Sequence, residues 1–295
     1  MPELPEVETV MRGLTPAMAG ARIVRVEQRR PDLRFPFPER MPERLAGRRI
    51  ENLSRRAKYI LFHLDGGEIL FAHLGMTGRF TVTTPVSDAM VADGAFTHPA
   101  GGDPAHDHVL IHLSNKHTVT YNDARRFGYI DLVPADVMPT HKLFRDLGVE
   151  PLSDDLTPAY LAKRAAGRRV DLKAFLMDQH VIAGLGNIYV SEALYRARLK
   201  PTRMAHTIAD HRGNPRPQAV ALTASVRGVL ADAIAAGGSS LRDYVQASGE
   251  LGYFQKAHAV YDRPGEPCLT QGCGGTVRRI VQGTRSTFYC PRCQR

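Results

Sequence analysis

The hydrophobic pattern of this 295-residue chain changes near Pro134. Before that point, apolar residues stand in short alternating or β-branched runs, which turn signals such as Asp65-Gly66-Gly67 separate. After it, apolar residues recur at helical spacing, as in the run that begins at Pro217 and stops at a pair of glycines. The sequence therefore predicts an α+β fold in which a β domain precedes a helical one.

The first part predicts a β-sandwich or a flattened barrel. Six runs between residues 21 and 133 have strand character: RIVRV, KYILFHL, EILFAHL, HVLIHL, HTVTY and GYIDLV. A helix flanks them at the N-terminus, because a stripe of apolar residues with helical spacing extends from Val7 to Leu14. Residues 84–107 are rich in Gly, Pro and Ala, and we expect them to form a long surface loop.

The second part predicts a helix, a connection of two turns and a further helix. In the run VIAGLGNIYVSEAL, residues 181–194, we expect two helical stretches that are joined through Gly184 and Gly186. Asn187 is placed to act as the N-cap of the second stretch.

All four cysteines lie in the last 28 residues. Two close pairs, Cys268 with Cys273 and Cys290 with Cys293, are separated by 16 residues, which is typical of a four-thiolate zinc site. Four thiolates leave no open position for a reactive water, so we expect one structural Zn²⁺. The flanking runs TVRRIV and STFYC predict a zinc-ribbon β-hairpin that turns at residues 282–284.

These features predict four segments. The expected bounds are 1–134 for a catalytic β-sandwich domain, 135–152 for a linker, 153–260 for the helix-two-turn-helix domain and 261–295 for a C-terminal zinc finger. The formal net charge of +9 is consistent with a polyanionic partner. Because no leader-like start or long apolar run is evident, we expect a cytoplasmic protein without a membrane partner.

The opening residues, MPELPEVETV, place an unusual amine beside carboxylates. Removal of Met1 would leave Pro2 with a free secondary amine, and α-amino groups titrate near pH ~8 rather than ~10.4 as lysine does. Condensation with an aldehyde-level carbon gives an iminium ion, which accepts electrons during elimination. Glu3 could transfer the proton. The simpler alternative is that Pro2 controls processing and Glu3 favours the helix dipole.

Six motifs resemble those of the bacterial formamidopyrimidine-DNA glycosylases, in the same order and over nearly the whole chain: PELPEVET, RRAKY, HLGMTG, NDARRFGY, GLGNIYVSEAL and TFYCPRC. The resemblance implies a monomeric, bifunctional glycosylase and abasic-site lyase of base excision repair. Its implied partner is double-stranded DNA that contains oxidised purines, such as 8-oxoguanine and formamidopyrimidines, or abasic sites. The implied chemistry is Schiff-base formation followed by β,δ-elimination.

The resemblance also implies roles for single residues. Pro2 would attack the deoxyribose C1′, and Glu3, supported by Glu6, would donate a proton during base release. Lys58 would serve β-elimination, and Arg285 on the hairpin would serve δ-elimination. Without the family, Lys58 would be interpreted as a solvated strand lysine.

Implied DNA contacts follow from the same match. Met76, Arg125 and Phe127 would occupy the gap that an extruded nucleotide leaves in the base stack, although composition alone would place Met76 and Phe127 in the core. The other implied contacts are His106, Arg169 and Asn187. We further expect the run SGELGYFQ, residues 248–255, to read the damaged base.

The sequence departs from the usual family pattern at two places, and two alternative functions remain open. The first cysteine pair is C-x4-C, where the family usually has C-x2-C, and the loop at 84–107 is longer than usual. The sister endonuclease VIII class, which prefers oxidised pyrimidines, shares the proline and the zinc hairpin. A non-catalytic zinc-ribbon DNA-binding protein is the other alternative.

Overall fold

The structure, a computed structural model, describes residues 2–83, 102–239 and 253–295. They fall into two compact units. Unit 1 comprises Met1–Arg145 and Ala236–Tyr253, and unit 2 comprises Asp146–Ala235 and Phe254–Arg295. Most of the run SGELGYFQ and most of the expected 84–107 loop lie outside the described residues.

Helix α1, Leu4–Met18, begins unit 1 as predicted. Glu3 and Glu6 form a capping box in which the Glu3 N–H donates to Glu6 Oε2 at 2.8 Å. Pro5 stands in the first turn, where a helix needs no N–H donor. The buried face, which includes Val7 and Leu14, packs into the core of unit 1. The start of the chain is therefore anchored by packing and by capping.

Unit 1 is a β-sandwich of two four-stranded antiparallel sheets, with the strand orders β1-β6-β7-β5 and β2-β3-β4-β8. A short helix α2, Met41–Leu45, lies between β1 and β2. The strands are β1 Ile23–Gln28, β2 Ile50–Arg56, β3 Tyr59–Leu64, β4 Glu68–His73, β5 Arg79–Thr83, β6 Asp107–Leu113, β7 Thr118–Asn122 and β8 Tyr129–Pro134.

The six predicted strands are all present, and β2 and β5 were missed. Both are edge strands, and each has one fully buried position, Ile50 in β2 and Phe80 in β5. Their sequences therefore carry a weak apolar alternation. Phe80 nevertheless joins the sheets, because its ring centroid lies 6.0 Å from that of Phe62 on β3.

The end of the predicted 84–107 loop contains regular structure. The Asp103 side chain accepts the Ala105 N–H at 2.9 Å and caps the 3-10 helix Pro104–His106. Strand β6 then begins at Asp107.

Unit 2 contains helices α3 Pro158–Ala165, α4 Leu172–Met177, α5 Asn187–Arg196 and α6 Pro217–Ala235 and the hairpin strands β9 Arg278–Gln282 and β10 Arg285–Tyr289. Residues 181–183 form turns and a bridge instead of the expected helical stretch. The N-cap prediction is also wrong, because Gly186 is the N-cap and Asn187 is the first residue of α5. By length and composition α6 could span a membrane, but a stripe from Ala219 to Ala233 is buried and the helix packs on α3 and α5.

A buried carboxylate joins α5 to the segment before the hairpin. Glu192 is 1% exposed and accepts the backbone N–H groups of Ala259, Val260 and Tyr261 at 2.9, 3.0 and 2.8 Å. Hydrogen bonds to a charged acceptor are the stronger kind, and their loss leaves buried donors unsatisfied.

We expect Glu192→Ala to lower the free energy of unfolding by roughly 3 kcal/mol, because three N–H groups, one buried and two partly buried, lose their acceptor. Chemical denaturation of the full chain measures the change. Glu266→Ala is the matched control, since Glu266 makes a surface ion pair with Arg263 and its side chain is 55% exposed. Equal effects of the two substitutions would contradict the anchoring role of Glu192.

Candidate active site and metal centre

The first turn of α1 brings Pro2, Glu3 and Glu6 together. All three are buried, Glu3 and Glu6 to 3% and 2% exposure. The Glu6 carboxylate accepts two backbone donors, because Oε2 accepts the Glu3 N–H and Oε1 accepts the Ser239 N–H, each at 2.8 Å. Gly238, with φ +80°, passes so close that a Cβ there would lie 3.0 Å from Glu6 Oε1. A single carboxylate thus ties the residue next to Pro2 to segment 236–239.

Lys58 stands at the tip of the β2–β3 hairpin instead of on a solvated strand. Ala57 and Lys58 are the two residues between the paired Arg56 and Tyr59, and Ala57 has a left-handed φ of +52°. Lys58 is 9% exposed. Burial, followed by the charges of Lys58 and of Arg34, lowers the pKa of the neighbouring His73 to about 4. His73 is therefore neutral near pH 7 and accepts the Gly75 N–H through Nδ1 at 3.0 Å.

Met76, Arg125 and Phe127 lie on two loops that contact each other. Gly75 packs against the backbone of Phe127, where a Cβ would come within 2.4 Å of the carbonyl carbon. The Arg125 guanidinium carbon lies 4.7 Å from the Phe127 ring centroid, a cation–π distance. Phe127 is 44% exposed and Met76 is partly exposed, so neither is the core residue that composition alone suggested.

Sequence reasoning missed the residues that hold these loops. Asp123 is fully buried, and its carboxylate accepts the Thr77 hydroxyl at 2.5 Å and the Gly128 N–H at 2.7 Å. Thr77 Oγ1 in turn accepts the Arg125 N–H at 3.1 Å. Both Thr77 and Asp123 lie within the motifs HLGMTG and NDARRFGY, so their motif membership was the signal that could have found them. The Asp123 N–H donates to the His106 carbonyl at 3.1 Å, which places His106 beside the same loop.

Arg169, Asn187 and Arg285 belong to unit 2. Arg169 and Arg285 are exposed. The Asn187 Nδ2 donates to the Ser286 carbonyl at 3.1 Å, so its side chain stabilises the hairpin and does not cap α5. The buried Lys173, which sequence reasoning also missed, donates to the same carbonyl and to Thr287 Oγ1. These bonds hold the strand that begins at Arg285.

The four cysteines form one cluster whose sulfur atoms all lie within 4.8 Å of one another. The Sγ–Sγ distances are 3.7 Å for Cys268 to Cys293 and 3.6 Å for Cys273 to Cys290. Thiolates at ~2.3 Å from a tetrahedral zinc ion are separated by ~3.8 Å, so the donor set fits one Zn²⁺.

The C-x4-C knuckle does not disturb this geometry. Gly272, inside the spacer, has a left-handed φ of +71°, and Gly274, directly after Cys273, has a φ of +57°. The Cys273 N–H donates to the Thr270 carbonyl at 3.0 Å. The Thr270 N–H donates to Cys268 Sγ at 3.5 Å, the kind of bond that stabilises a ligating thiolate.

Three features together define a class of zinc-finger proteins. They are a β-sandwich that begins with a proline beside paired carboxylates, a helix-two-turn-helix unit and a four-thiolate hairpin. Sequence profiles identify the family. The profile for the formamidopyrimidine-DNA glycosylase N-terminal domain matches residues 1–130, the profile for the H2TH domain of the same glycosylase matches 147–245, and a profile for the zinc finger found in FPG and IleRS matches 265–295. The chain belongs to the formamidopyrimidine-DNA glycosylase family, and its four cysteines hold one structural zinc ion.

Several known proteins are similar to this chain over its whole length. The formamidopyrimidine-DNA glycosylases of Sinorhizobium fredii and Azorhizobium caulinodans are 57% and 56% identical, and each alignment covers 100% of both chains. The crystal structure of the MutM (Fpg) protein of Thermus thermophilus is 38% identical with a TM-score of 0.81, over 99% of this chain and 98% of that chain. Lactococcus lactis Fpg in complex with DNA that contains an abasic site is 30% identical with a TM-score of 0.82, over 100% of both chains.

We expect the protein to contain one zinc per chain, and we expect Co²⁺ to replace it with the absorption bands of a tetrahedral thiolate site. Cys273→Ser should weaken metal binding by removing one of the four donors. Leu269→Ala is the matched control, because Leu269 lies within the same knuckle and is 61% exposed. Absorption titration with Co²⁺ measures both variants, and an unchanged affinity of Cys273→Ser would contradict the four-thiolate site.

Proposed function

We propose that this chain removes oxidised purines from double-stranded DNA as a bifunctional glycosylase and abasic-site lyase of base excision repair, with Pro2 as its nucleophile. The observation that carries the proposal is the fixed start of α1, where Pro2 adjoins the capping box of Glu3 and Glu6 in a chain that matches the glycosylase family throughout. Removal of Met1 produces the secondary amine.

The chemistry proceeds through a covalent intermediate. The Pro2 nitrogen forms a bond to the deoxyribose C1′, the glycosidic bond breaks, and the base departs with the bonding electrons and a proton from Glu3. Loss of the amine proton and opening of the sugar ring give an iminium ion. Removal of a proton from C2′ then expels the 3′ phosphate, and a second elimination expels the 5′ phosphate. Water finally hydrolyses the iminium and frees Pro2.

Two further side chains serve the eliminations in this proposal. Lys58, at the hairpin tip in unit 1, moves the proton in β-elimination, and the neutral His73 beside it adds no competing positive charge. Arg285 in unit 2 serves δ-elimination and contacts phosphate. Its exposure at the start of β10 and the bonds of Lys173 and Asn187 to the Ser286 carbonyl support this role.

The duplex must be opened before C1′ can react, since the target nucleotide lies inside the base stack. The extruded nucleotide leaves a gap in the base stack, and in this proposal the apolar side chains of Met76 and Phe127 fill it. The Arg125 guanidinium donates hydrogen bonds to the base that has lost its partner. Asp123 fixes their loops. His106, Arg169 and the N-terminal N–H groups of α5 at Asn187 contact the phosphate backbone.

The wider assignments are proposals of the same kind. The three matched profiles support a division into three domains, for which we propose the bounds 1–134, 153–260 and 261–295 with a linker at 135–152; the H2TH match itself covers 147–245. We also propose a cytoplasmic monomer. An endonuclease VIII-like preference is less well supported, because the relatives are named formamidopyrimidine-DNA glycosylases. Lactococcus lactis Fpg has nevertheless been crystallised with DNA that contains an oxidised pyrimidine, so that substrate belongs in the test.

We expect sodium borohydride to trap a covalent adduct of the wild type with duplexes that contain 8-oxoguanine opposite cytosine. Pro2→Gly should reduce trapping by roughly 100-fold or more, since a primary amine on a more flexible residue replaces the proline nitrogen. Its affinity for a duplex with an uncleavable abasic analogue should be retained.

Pro5→Ala is the matched control, because Pro5 lies in the same motif but carries no free amine. If no wild-type adduct forms with any lesion, the glycosylase proposal is wrong. Trapping chiefly on the oxidised pyrimidine would instead favour the endonuclease VIII class.

We expect Glu6→Gln to lower base excision on the order of tenfold while retaining more of the lyase activity on a preformed abasic site. The amide nitrogen of glutamine would face one of the two N–H donors, which leaves a buried donor unsatisfied and loosens the start of α1. Single-turnover rates on the two substrates measure the difference, with the exposed Glu39→Gln as control. Equal losses on both substrates would argue for a general loss of structure.

A further inference from the structure

Unit 2 contains a cationic cavity of which the proposed function uses a single residue. It has a volume of about 550 Å³ and is enclosed by residues 166–169 on one side and residues 206–216 on the other. Four basic side chains line it: Arg169, His206, His211 and Arg216. We call it the basic groove. Of these residues, only Arg169 has a role in the proposed function.

The groove has a net positive charge, because its two arginines outnumber its one acidic residue among those described. Neither Arg169 nor Arg216 forms an ion pair or a side-chain hydrogen bond with another described residue, whereas Arg196, elsewhere in unit 2, pairs with Asp232 at 2.6 Å. Asp210 is the groove's one acidic residue among those described. Its carboxylate is occupied by the Arg212 and Asn214 N–H groups and by Asn214 Nδ2, at 2.8, 2.8 and 3.0 Å.

The loop that carries His211 and Arg216 is held in one shape. The Asp210 N–H donates to the Asn214 carbonyl at 2.9 Å, Ala209 bridges Pro215, and Gly213 supplies the left-handed turn with φ +82°. The Arg216 N–H donates to the Ile208 carbonyl at 3.0 Å. A loop that is ordered before binding loses less conformational entropy when a ligand arrives.

The opposite wall is joined to the same scaffold. The His206 N–H donates to the Arg168 carbonyl at 3.3 Å, and the ring Nδ1 lies 3.2 Å from the same oxygen. Because a carbonyl oxygen only accepts, Nδ1 carries the proton and the ring orientation is fixed. The Ala205 N–H donates to the Val170 carbonyl at 2.9 Å. Both walls of the groove are therefore connected by backbone bonds within unit 2.

We propose that the basic groove binds phosphates of the DNA backbone that flank the lesion, and that Arg216 and His211 extend the phosphate binding of Arg169. This inference rests on the proposed function. Guanidinium groups that form no ion pair with another described residue, on a rigid and open surface, suit phosphate oxygens, and such contacts increase affinity without reading sequence. The described lining residues include no large apolar side chain that would anchor an uncharged organic ligand.

The test is fluorescence anisotropy on duplexes that contain a tetrahydrofuran abasic analogue, over a range of salt concentrations. We expect Arg216→Ala to weaken binding by about threefold to tenfold and to reduce the slope of log K against log salt by about 0.9 for each phosphate that the protein no longer neutralises. Arg216→Lys should restore most of the slope, which separates loss of charge from loss of structure. Arg196→Ala, which removes an arginine already paired with Asp232, should change neither quantity.

A length series locates the bound phosphates. When the duplex is shortened from one end, the wild type and Arg216→Ala should converge once the flank no longer reaches the groove. An unchanged slope in both Arg216→Ala and the double variant with His211→Ala would overturn the proposal, as would a reduced affinity that persists on the shortest duplex. Borohydride trapping of the wild type tests the chemistry separately, so failure of the groove and failure of the proposed function give different results.

Discussion

The Glu6 carboxylate is the interaction on which the geometry of the proposed active site depends. It is buried, and its two oxygens accept N–H groups from residues that lie more than 230 positions apart in the chain, Glu3 and Ser239. Charge-assisted bonds of this kind are stronger than those between neutral groups. Because the apolar stripe of α1 packs into the sandwich core, the core fixes Glu6, and Glu6 fixes the backbone that adjoins Pro2. A nucleophile at the end of a chain would otherwise fray.

Buried carboxylates solve the same structural problem at two other places. Asp123 accepts donors from the loops that carry Met76 and Phe127, and Glu192 accepts three N–H groups before the zinc hairpin. In each case an irregular segment has backbone donors that no helix or sheet satisfies. One acidic side chain satisfies them and fixes the segment at once. The side chains that we propose to be functional can then be exposed on loops whose backbone is fixed, which is the condition for a precise site.

The sequence predicted the regular elements better than the irregular segments that these carboxylates hold. The six strands with two or more buried positions, and the stripe of α1, were predictable because burial imposes a period on the sequence. Strands β2 and β5 were not predictable, because each has a single buried position and a single position sets no period. Asn187 was assigned as an N-cap from its local position, but its amide bonds to Ser286, a partner 99 residues away that no local rule contains. Thr77 and Asp123 were missed for the same reason, because their partners come from separate loops.

The zinc hairpin shows why the unusual C-x4-C spacing is tolerated. Its own apolar cluster contains three buried residues, Val260, Val277 and Phe288, which is too small a core to specify a fold alone. The metal supplies the missing constraint, but it constrains only where four sulfur atoms lie. The backbone between Cys268 and Cys273 can take any path that returns the sulfurs to the tetrahedron, and the left-handed turn at Gly272, φ +71°, is part of the path it takes here. Lys173 and Asn187 then fix the strand that follows Arg285 independently of the knuckle. A change in knuckle length therefore leaves the position of the proposed catalytic arginine within unit 2 unaffected.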